Sequence, residues 1–156
     1  MARRGLSIRD IRYQAAVIHN AHVLAVRVAL QDGQYFWLLP GGGREPHDES
    51  GEACVEREVR EETTLAVTVE RLLSDVPAHP EDARYRRWRT YLCRVGDGEP
   101  RAATVDGIAT IDAVRWLSLH DEGSWPPEVR GDRFLYPQLA SIAATLSHDE
   151  LDPKAR

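Results

Sequence analysis

The chain has 156 residues, of which 42% are hydrophobic and 29% charged, and its formal net charge is −5 at pH 7. This length fits one compact domain, and the composition excludes disordered and fibrous proteins. The acidic balance argues against broad nucleic-acid binding, which needs a surplus of Lys and Arg on the contact face. We therefore expect a single domain over residues 1–156, with flexible polar tails at about 1–10 and 148–156.

The apolar runs of the sequence, such as AAVI and HVLAVRVAL, are far shorter than a bilayer span. The opening residues, MARRGLSIRD, lack the apolar core of a secretory signal. We therefore expect a cytoplasmic protein without a membrane partner. Cys54 and Cys93 are too few and too separated to suggest a disulfide framework or a zinc site, so we expect both in the core.

The segment IRYQAAVIHNAHVLAVRVALQDGQYFWLLP predicts three short strands with antiparallel pairing. β-Branched residues are frequent at 14–18 and 23–28, HNAH and QDGQ supply turn residues, and Pro40 ends the third strand. Further strands are predicted from AVTVERLLSDV, RYRRWRTYLCRV and IDAVRWLSL.

Two helices are predicted between and after these strands. Ser50 is a good N-cap and Glu52 places negative charge in the first turn, so a helix is expected from there to about residue 62. The segment FLYPQLASIAATL has apolar residues at helical spacing, with Pro137 in its first turn, and predicts an amphipathic helix that covers the sheet. This order of elements indicates an α+β fold with a mixed β-sheet and helices packed on it.

Three acidic residues share one face of the first predicted helix. Glu58, Glu61 and Glu62 stand at positions i, i+3 and i+4, where like charges destabilise a helix by roughly 0.2 to 0.5 kcal/mol per pair unless a positive charge lies among them. Oxygen ligands without Cys or His suit Mg²⁺ or Mn²⁺. The preceding GGG allows close backbone approach, so a glycine carbonyl could join the ligands. The alternative is an acidic face that is merely solvated.

The spacing of the whole motif favours the metal site. Gly43 is followed after five residues by Glu49 and after seven more by REVREETTL, residues 57–65. This pattern resembles the Nudix box, the signature of the Nudix hydrolases, and every defining position matches except Thr64, where the family has glycine. Because a β-branched residue is costly in the left-handed conformation that ends such a helix, we expect a locally altered helix exit with the carboxylates kept.

The resemblance implies the Nudix fold, a mixed β-sheet sandwiched between helices in an α/β/α arrangement. Gly43 and Glu49 would support the motif, with Glu49 as the ion-pair partner of Arg57. The ligands of Mg²⁺, or alternatively Mn²⁺, would be Glu58, Glu61, Glu62 and the carbonyl oxygen of Gly42.

The catalytic candidates implied by the resemblance are Glu58, Glu61 and Arg57. Glu58 is the first choice for the general base. Several family members place this acid on a later loop outside the box, which leaves Asp106 and Asp112 as alternatives. Either aspartate could equally be an ordinary loop residue.

The resemblance implies hydrolysis of the diphosphate bond of a nucleoside diphosphate linked to another group, by attack of water on phosphorus. The small-molecule substrate would be a nucleotide sugar, an ADP-ribose-like compound or a nucleoside triphosphate. A catalytically silent nucleotide-sensing module is the alternative, and the complete set of glutamates favours the enzyme. A structural acidic helix without a ligand ranks lowest. The resemblance also leaves a homodimer open.

Substrate contacts are harder to predict from the sequence. In RYRRWRTYLCRV, Arg87 and Arg89 share one strand face, and Arg86 and Trp88 share the other. Arginines beside aromatic rings could grip phosphate and stack on a base, or they could be solvated with Trp88 in the core. Tyr35, Phe36 and Trp37 could similarly form a stacking wall or part of the core. The candidate substrate-binding residues are Arg44, Arg87, Arg89 and Trp37.

Overall fold

A computed structural model of the protein describes residues 9–103 and 109–152. Its strands, in chain order, are β1 (Arg9–His19), β2 (His22–Leu30), β3 (Tyr35–Leu38), β4 (Gly41–Gly43), β5 (Ala66–Pro77), β6 (Tyr85–Asp97) and β7 (Ala109–Ser118). Its helices are α1 (Gly51–Thr63), α2 (Pro127–Arg130), α3 (Leu135–Thr145) and α4 (His148–Leu151), with a 3-10 helix at Glu122–Ser124.

Seven strands in the described part of the chain form one mixed sheet. The main path runs β3-β2-β1-β6-β5, while β4 pairs with β1 and β7 pairs with β2. The β1–β6 pair is parallel, and the other pairs are antiparallel. The predicted antiparallel start and mixed sheet are therefore confirmed.

Helices cover both faces of this sheet. The residues of β1 alternate between two cores, because Ala16 and Ile18 pack with α3 whereas Ala15 and Val17 pack with α1. A central strand with two buried faces explains the nearly continuous apolar run AAVI. The α/β/α sandwich predicted from the sequence is confirmed.

The two strands β1 and β2 separate soon after their hairpin. They pair only at Ile18 with Val23 and at His19 with His22. Beyond that point β1 pairs with β4, while β2 pairs with β3 and β7. Pro40 lies between β3, which pairs with β2, and β4, which pairs with β1. Its carbonyl accepts a hydrogen bond from the Ala15 N–H at 2.9 Å. A cleft therefore opens between the diverging strands.

Four short elements were not predicted, namely β4, α2, α4 and the 3-10 helix. Glycine has little intrinsic preference for strands, so β4 depends on its partner β1. The polar stretch after residue 147, expected as part of a flexible tail, instead forms α4 with a Ser147–Glu150 capping box. This short helix is fixed by an Arg71–Glu150 ion pair of 2.8 Å and by the carbonyl of Leu151, which accepts from the Ala21 N–H at 2.9 Å.

The proposed tails 1–8 and 153–156 lie outside the described residues, and residues 9 and 10 belong to β1. Cys54 and Cys93 are buried, as predicted. None of the helices in the described ranges combines the length and the apolar character that crossing a bilayer requires.

The end of α1 differs from the altered exit that was expected. Thr64 adopts φ 65° and ψ 0°, the left-handed conformation that glycine usually supplies, and its N–H donates to the Arg60 carbonyl at 3.0 Å. Its hydroxyl donates to the Thr63 carbonyl at 2.5 Å. The usual left-handed end of the helix is therefore retained, and the backbone of Thr64 is strained because its side chain is β-branched.

We expect Thr64→Gly to raise the free energy of unfolding by about 1 kcal/mol, because glycine adopts the left-handed conformation without strain. The greater entropy of glycine in the unfolded chain offsets only part of this gain. Urea denaturation measures this change. Thr64→Ala is the matched control, since it keeps a Cβ at the strained position and deletes the hydroxyl hydrogen bond. Equal or lower stability of Thr64→Gly relative to the parent would contradict the strain argument.

Candidate active site

The cleft between β1 and β2 encloses a cavity of about 580 Å³. Glycines of β4 and acidic residues of α1 line it together with apolar side chains of β2 and β3. Aromatic side chains from the start of β6 and from the segment before α3 complete its wall. The acidic lining residues are Glu45, Glu58, Glu61, Glu62, Glu81 and Asp82.

Helix α1 and strand β4 meet in van der Waals contact at Glu58 and Gly42. A Cβ added to Gly42 would overlap the Glu58 carboxylate. At the neighbouring position a Cβ on Gly41 would overlap the Tyr13 carbonyl of β1. Both positions require glycine, because Glu58 lies too close to Gly42, and β1 too close to Gly41, for a side chain to fit. As a result, the Glu58 carboxylate lies directly beside the backbone of β4.

Glu58 and Glu62 form a close pair one helical turn apart. Burial raises the pKa of Glu58, and burial raises the pKa of Glu62 well above its usual range. The Gly41 N–H donates to Glu62 Oε1 at 3.2 Å. Two closely spaced, desolvated carboxyl groups are suited to a divalent cation, whose charge compensates both.

Glu61 is more exposed than Glu58, with 35% of its side chain accessible against 13%. Its Oε1 accepts from Arg57 Nη1 at 3.0 Å. Within residues 9–103 and 109–152, no three His, Cys, Asp or Glu side chains already stand in the arrangement of a closed metal site. Glu61 would have to turn from Arg57 to join Glu58 and Glu62 around one cation.

The donor set fits Mg²⁺ or Mn²⁺. It consists of carboxylate oxygens and a glycine carbonyl, which hard cations prefer. The Gly42 carbonyl oxygen lies 4.0 Å from the Cys54 sulfur, one helical turn before Glu58, so it faces the same side of α1 as that glutamate. The residues present are therefore compatible with the predicted cation.

Arg57 ties the loop before α1 to the helix. Its Nε and Nη2 donate to the two carboxylate oxygens of Asp48 at 2.9 and 2.8 Å, and Nη2 also donates to the Gly43 carbonyl at 3.2 Å. Hydrogen bonding from Arg57 holds the pKa of Asp48 well below its usual range. Glu58 Oε2 lies 3.2 Å from Arg57 Nη1, so the same guanidinium supports the glutamate pair.

The expected Glu49–Arg57 ion pair is wrong in its acidic partner. Glu49 is exposed and forms no ion pair with Arg57 in the described structure. The ion-pair partner of Arg57 is Asp48, whose side chain is only 3% exposed. The turn that joins the Glu45 carbonyl to the Asp48 N–H points Asp48 inward. Two adjacent acidic residues carry the same charge, so the sequence could not distinguish them.

Trp37 does not line the cavity, contrary to the substrate contact suggested above. Its side chain is 3% exposed, packs in the α3 core and donates from Nε1 to Glu128 at 2.9 Å. Its neighbours Phe36 and Leu38 face the cavity instead. Strand alternation explains this exchange, because adjacent residues of β3 point to opposite faces.

The candidate arginines also lie outside the cavity lining. Arg87 and Arg89 share one face of β6, as predicted, but their Nε atoms donate to Asp75 of β5 at 2.8 and 3.0 Å. Trp88, on the opposite face of β6, lines the cavity. Arg44 is exposed and donates from Nη2 to the Asp48 carbonyl at 3.3 Å, so it supports the loop.

Of the two alternative general bases, Asp112 is directed away from the proposed metal site. Asp112 pairs with Arg27 of β2, with Nε and Oδ1 2.8 Å apart, while its neighbour Ile111 faces the cavity. Asp112 therefore points away from the glutamates. Asp106 lies outside the described residues.

Several residues of the cavity lining were not predicted from the sequence. Arg12 and Gln14 of β1 line the cavity, and their polarity beside the apolar run AAVI is a signal that could have marked them. The missed aromatic residues are Tyr85 and Phe134, whereas Trp88, for which stacking on a base and a place in the core were both open, lines the cavity. Their common position depends on β6 and α3 meeting in the fold, which no local pattern specifies.

A family model described as the NUDIX domain matches residues 11–139, which is most of the chain. The chain therefore belongs to the Nudix hydrolase family. The match includes β1, the glycine strand, the glutamate helix and most of the cavity lining. Among curated proteins, a comparison found no match.

Several solved structures share this fold. An ADP-ribose pyrophosphatase from Streptococcus suis is 29% identical, with a TM-score of 0.62 over 88% of this chain and 92% of that chain. A MutT Nudix hydrolase from Burkholderia pseudomallei is 25% identical, with a TM-score of 0.57 over 85% of this chain and 98% of that one. A UDP-X diphosphatase is similar in fold alone, at 20% identity and a TM-score of 0.61 over 88% and 64% of the two chains.

We expect Asp48→Asn to lower the free energy of unfolding by about 2 kcal/mol, because it leaves the partly buried Arg57 without its main counter-charge. Glu49→Gln is the matched control and should change stability little, since Glu49 is exposed. Thermal unfolding of both variants measures the difference. Similar losses in the two variants would restore Glu49 as the partner.

The Asp48 contribution should also depend on pH. Because the folded-state pKa is lowered, its stabilisation is complete above the unfolded value of 3.8 and disappears as the pH falls through the folded value. The stability difference between the parent and Asp48→Asn should therefore be constant near neutrality and shrink in acid. Urea denaturation across this range tests the sign.

Proposed function

We propose that this protein is a Mg²⁺-dependent hydrolase that cleaves the diphosphate bond of a nucleoside diphosphate linked to a second group. The observation that carries the proposal is the half-buried pair of carboxyl groups, Glu58 and Glu62, beside the glycine strand in the wall of a large cavity. Membership of the Nudix hydrolase family supports the reaction class. The ADP-ribose pyrophosphatase neighbour supports a substrate of this general type.

Glu58, Glu61, Glu62 and the Gly42 carbonyl would hold the cation. When bound, Mg²⁺ supplies charge neutralisation of the diphosphate oxygens and lowers the pKa of a nearby water. The pKa values of Glu58 and Glu62 are raised mainly by burial, and this is consistent with the role, because a cation compensates the desolvation of two closely spaced carboxylates.

Glu58 is the proposed general base. Its carboxylate is in contact with the Gly42 backbone. Arg57 Nη1 lies 3.2 Å from Glu58 Oε2 and fixes the orientation of the carboxylate. In the proposed step the water oxygen forms a bond to phosphorus, the bond from phosphorus to the bridging oxygen breaks, and Glu58 accepts the water proton. The products would be a nucleoside monophosphate and the phosphorylated second group.

The aromatic part of the cavity suits a planar base. Trp88 Nε1 donates to Asp82 at 2.8 Å, which fixes the indole ring, and Phe134 meets that ring edge-on with centroids 6.2 Å apart. Phe36 lines the same cavity from β3, and Tyr85 lines it from the start of β6. Preorganised rings of this kind offer stacking surface at little entropic cost.

The test of the proposed function is a panel of nucleoside diphosphate derivatives incubated with the purified protein and Mg²⁺. We expect release of a nucleoside monophosphate from at least one compound. Glu62→Gln should lower kcat by at least about 100-fold, since loss of a metal ligand removes several kcal/mol of transition-state stabilisation. Glu49→Gln is the control in the same box and should remain active. Undiminished turnover by Glu62→Gln would overturn the proposal.

A stability measurement tests the cation without relying on turnover. Because burial raises the pKa of Glu62, holding this carboxyl in the metal-free fold costs stability at neutral pH, and the cost disappears as the pH falls from the folded-state pKa towards the unfolded value of 4.5. We expect Glu62→Gln to raise Tm in metal-free buffer at neutral pH and to abolish the increase in Tm that Mg²⁺ gives the parent. A protein whose Tm does not respond to Mg²⁺ or Mn²⁺ would contradict the metal site and favour the silent module.

A further inference from the structure

Arg12 is a cationic residue that lines the cavity together with Glu58 and Glu62, the proposed metal ligands. Arg12 and Arg84 are the arginines among the described lining residues. Both guanidinium groups lie over the Tyr85 ring, at 6.0 Å from its centroid for Arg12 and 5.6 Å for Arg84, but Arg84 is exposed whereas Arg12 is half-buried. Arg12 also acts electrostatically on both Glu58 and Glu62, where it opposes the rise in pKa caused by burial.

The strand register explains this position. Arg12 lies opposite Gly43 in the β1–β4 pair, and Gln14 lies opposite Gly41. Residues two apart on a strand share a face, so the side chains of Arg12 and Gln14 project beside Gly43 and Gly41, on the face opposite to that of Tyr13. The absence of side chains on the glycines leaves room for the guanidinium next to the carboxyl pair.

The guanidinium is held by neutral acceptors. Arg12 Nε donates to Gln14 Oε1 at 3.1 Å, and Nη2 donates to the Leu39 carbonyl at 2.8 Å. Within the described structure it forms no direct ion pair with an acidic side chain, so its charge is not neutralised by a dedicated partner. A guanidinium has five N–H donors, and these two bonds leave others for a ligand.

The orientation of Gln14 is set by a chain of hydrogen bonds that begins at α3. Gln138 Nε2 donates to the Phe134 carbonyl at 2.8 Å, so its Oε1 must accept, and Gln14 Nε2 donates to it at 2.5 Å. Gln14 Nε2 also donates to the Thr90 hydroxyl at 2.9 Å. Gln14 is 2% exposed, and this network leaves its Oε1 facing Arg12.

We propose that Arg12 binds a phosphate oxygen of the substrate beside the glutamate pair, and that Gln14 is the positioning residue that fixes the guanidinium for this contact. The inference rests on the proposed function and adds to it a phosphate-binding side chain from outside the glutamate motif. An arginine with a fixed planar fork suits phosphate, whose oxygens accept two parallel hydrogen bonds. Its charge also complements a substrate that brings more negative charge than a single cation neutralises.

The test measures phosphate binding separately from turnover. Calorimetric titration with inorganic pyrophosphate in the presence of Mg²⁺ should show an affinity about 10 to 100 times weaker for Arg12→Met than for the parent, the range expected for a charge-assisted hydrogen bond. Arg12→Lys should lose less, because it keeps the charge and loses the fork. Arg87→Met is the matched control, since Arg87 pairs with Asp75 on the far face of β6. Its affinity should equal that of the parent.

The positioning role has its own readout. Gln14→Met should weaken pyrophosphate binding less than Arg12→Met, and the double variant should bind no more weakly than Arg12→Met alone, because Gln14 acts through Arg12. A purely structural effect of Gln14 would add to that of Arg12 and would lower Tm in proportion. Additive losses would therefore overturn the positioning role.

Kinetics with a hydrolysed member of the panel provide the second measurement. Arg12→Met should raise KM by a similar factor with little change in kcat, as expected for a contact made in both the ground and transition states. If the parent turns over no compound, the proposed function fails, and the pyrophosphate titration still tests Arg12. Equal pyrophosphate affinity of the parent and Arg12→Met, or no binding by the parent, would overturn the inference.

Discussion

The close approach of α1 to β4 is the contact on which the rest of the site depends. Gly42 has no side chain, so the Glu58 carboxylate can lie against the strand backbone, and a Cβ at that position would overlap it. The same approach buries Glu62 and brings its carboxylate within reach of the Gly41 N–H. Charge is thereby concentrated where the protein provides few counter-charges, and this is the electrostatic condition under which a divalent cation binds strongly.

The cavity exists because the sheet is not paired along its whole length. β1 and β2 pair at their hairpin and then diverge, and β4 takes the place beside β1 that β2 leaves. The cleft therefore has a polar wall from β1 and β4 and an apolar wall from β2 and β3. This division suits a ligand with a charged diphosphate and a planar base.

Two arginines play different parts around the glutamates. Arg57 is committed to Asp48 and to the glutamates of its own helix, so it stabilises the loop and orients the acidic side chains. Arg12 comes from β1 and is held by neutral groups through Gln14. The first arginine is saturated by protein carboxylates, whereas the second keeps donors and charge for a ligand. Structural and ligand-binding roles are thus separated by the partners that each guanidinium has.

Local patterns in the sequence were sufficient for the elements and for the glutamate motif. Strands with alternating or β-branched residues, the Ser50 N-cap and the spacing of Glu58, Glu61 and Glu62 are properties of neighbours in the chain, and the structure has them where they were expected. The conformation of Thr64 was not predicted correctly, because packing of the chain after α1 can hold a residue in a backbone state that its own side chain disfavours.

The sequence by itself determined the strands and helices of an α+β fold and the acidic face of α1, because periodicity and capping act over a few residues, and the spacing of its glutamate motif implied the α/β/α arrangement by resemblance. Only the tertiary structure decided that Asp48 rather than Glu49 meets Arg57, and that Trp37 is in the core while Trp88 lines the cavity. It also brought Arg12 to the glutamates. Each of these outcomes depends on which face of an element meets a distant partner, and strand pairing and turn geometry set that face through contacts between residues far apart in the chain.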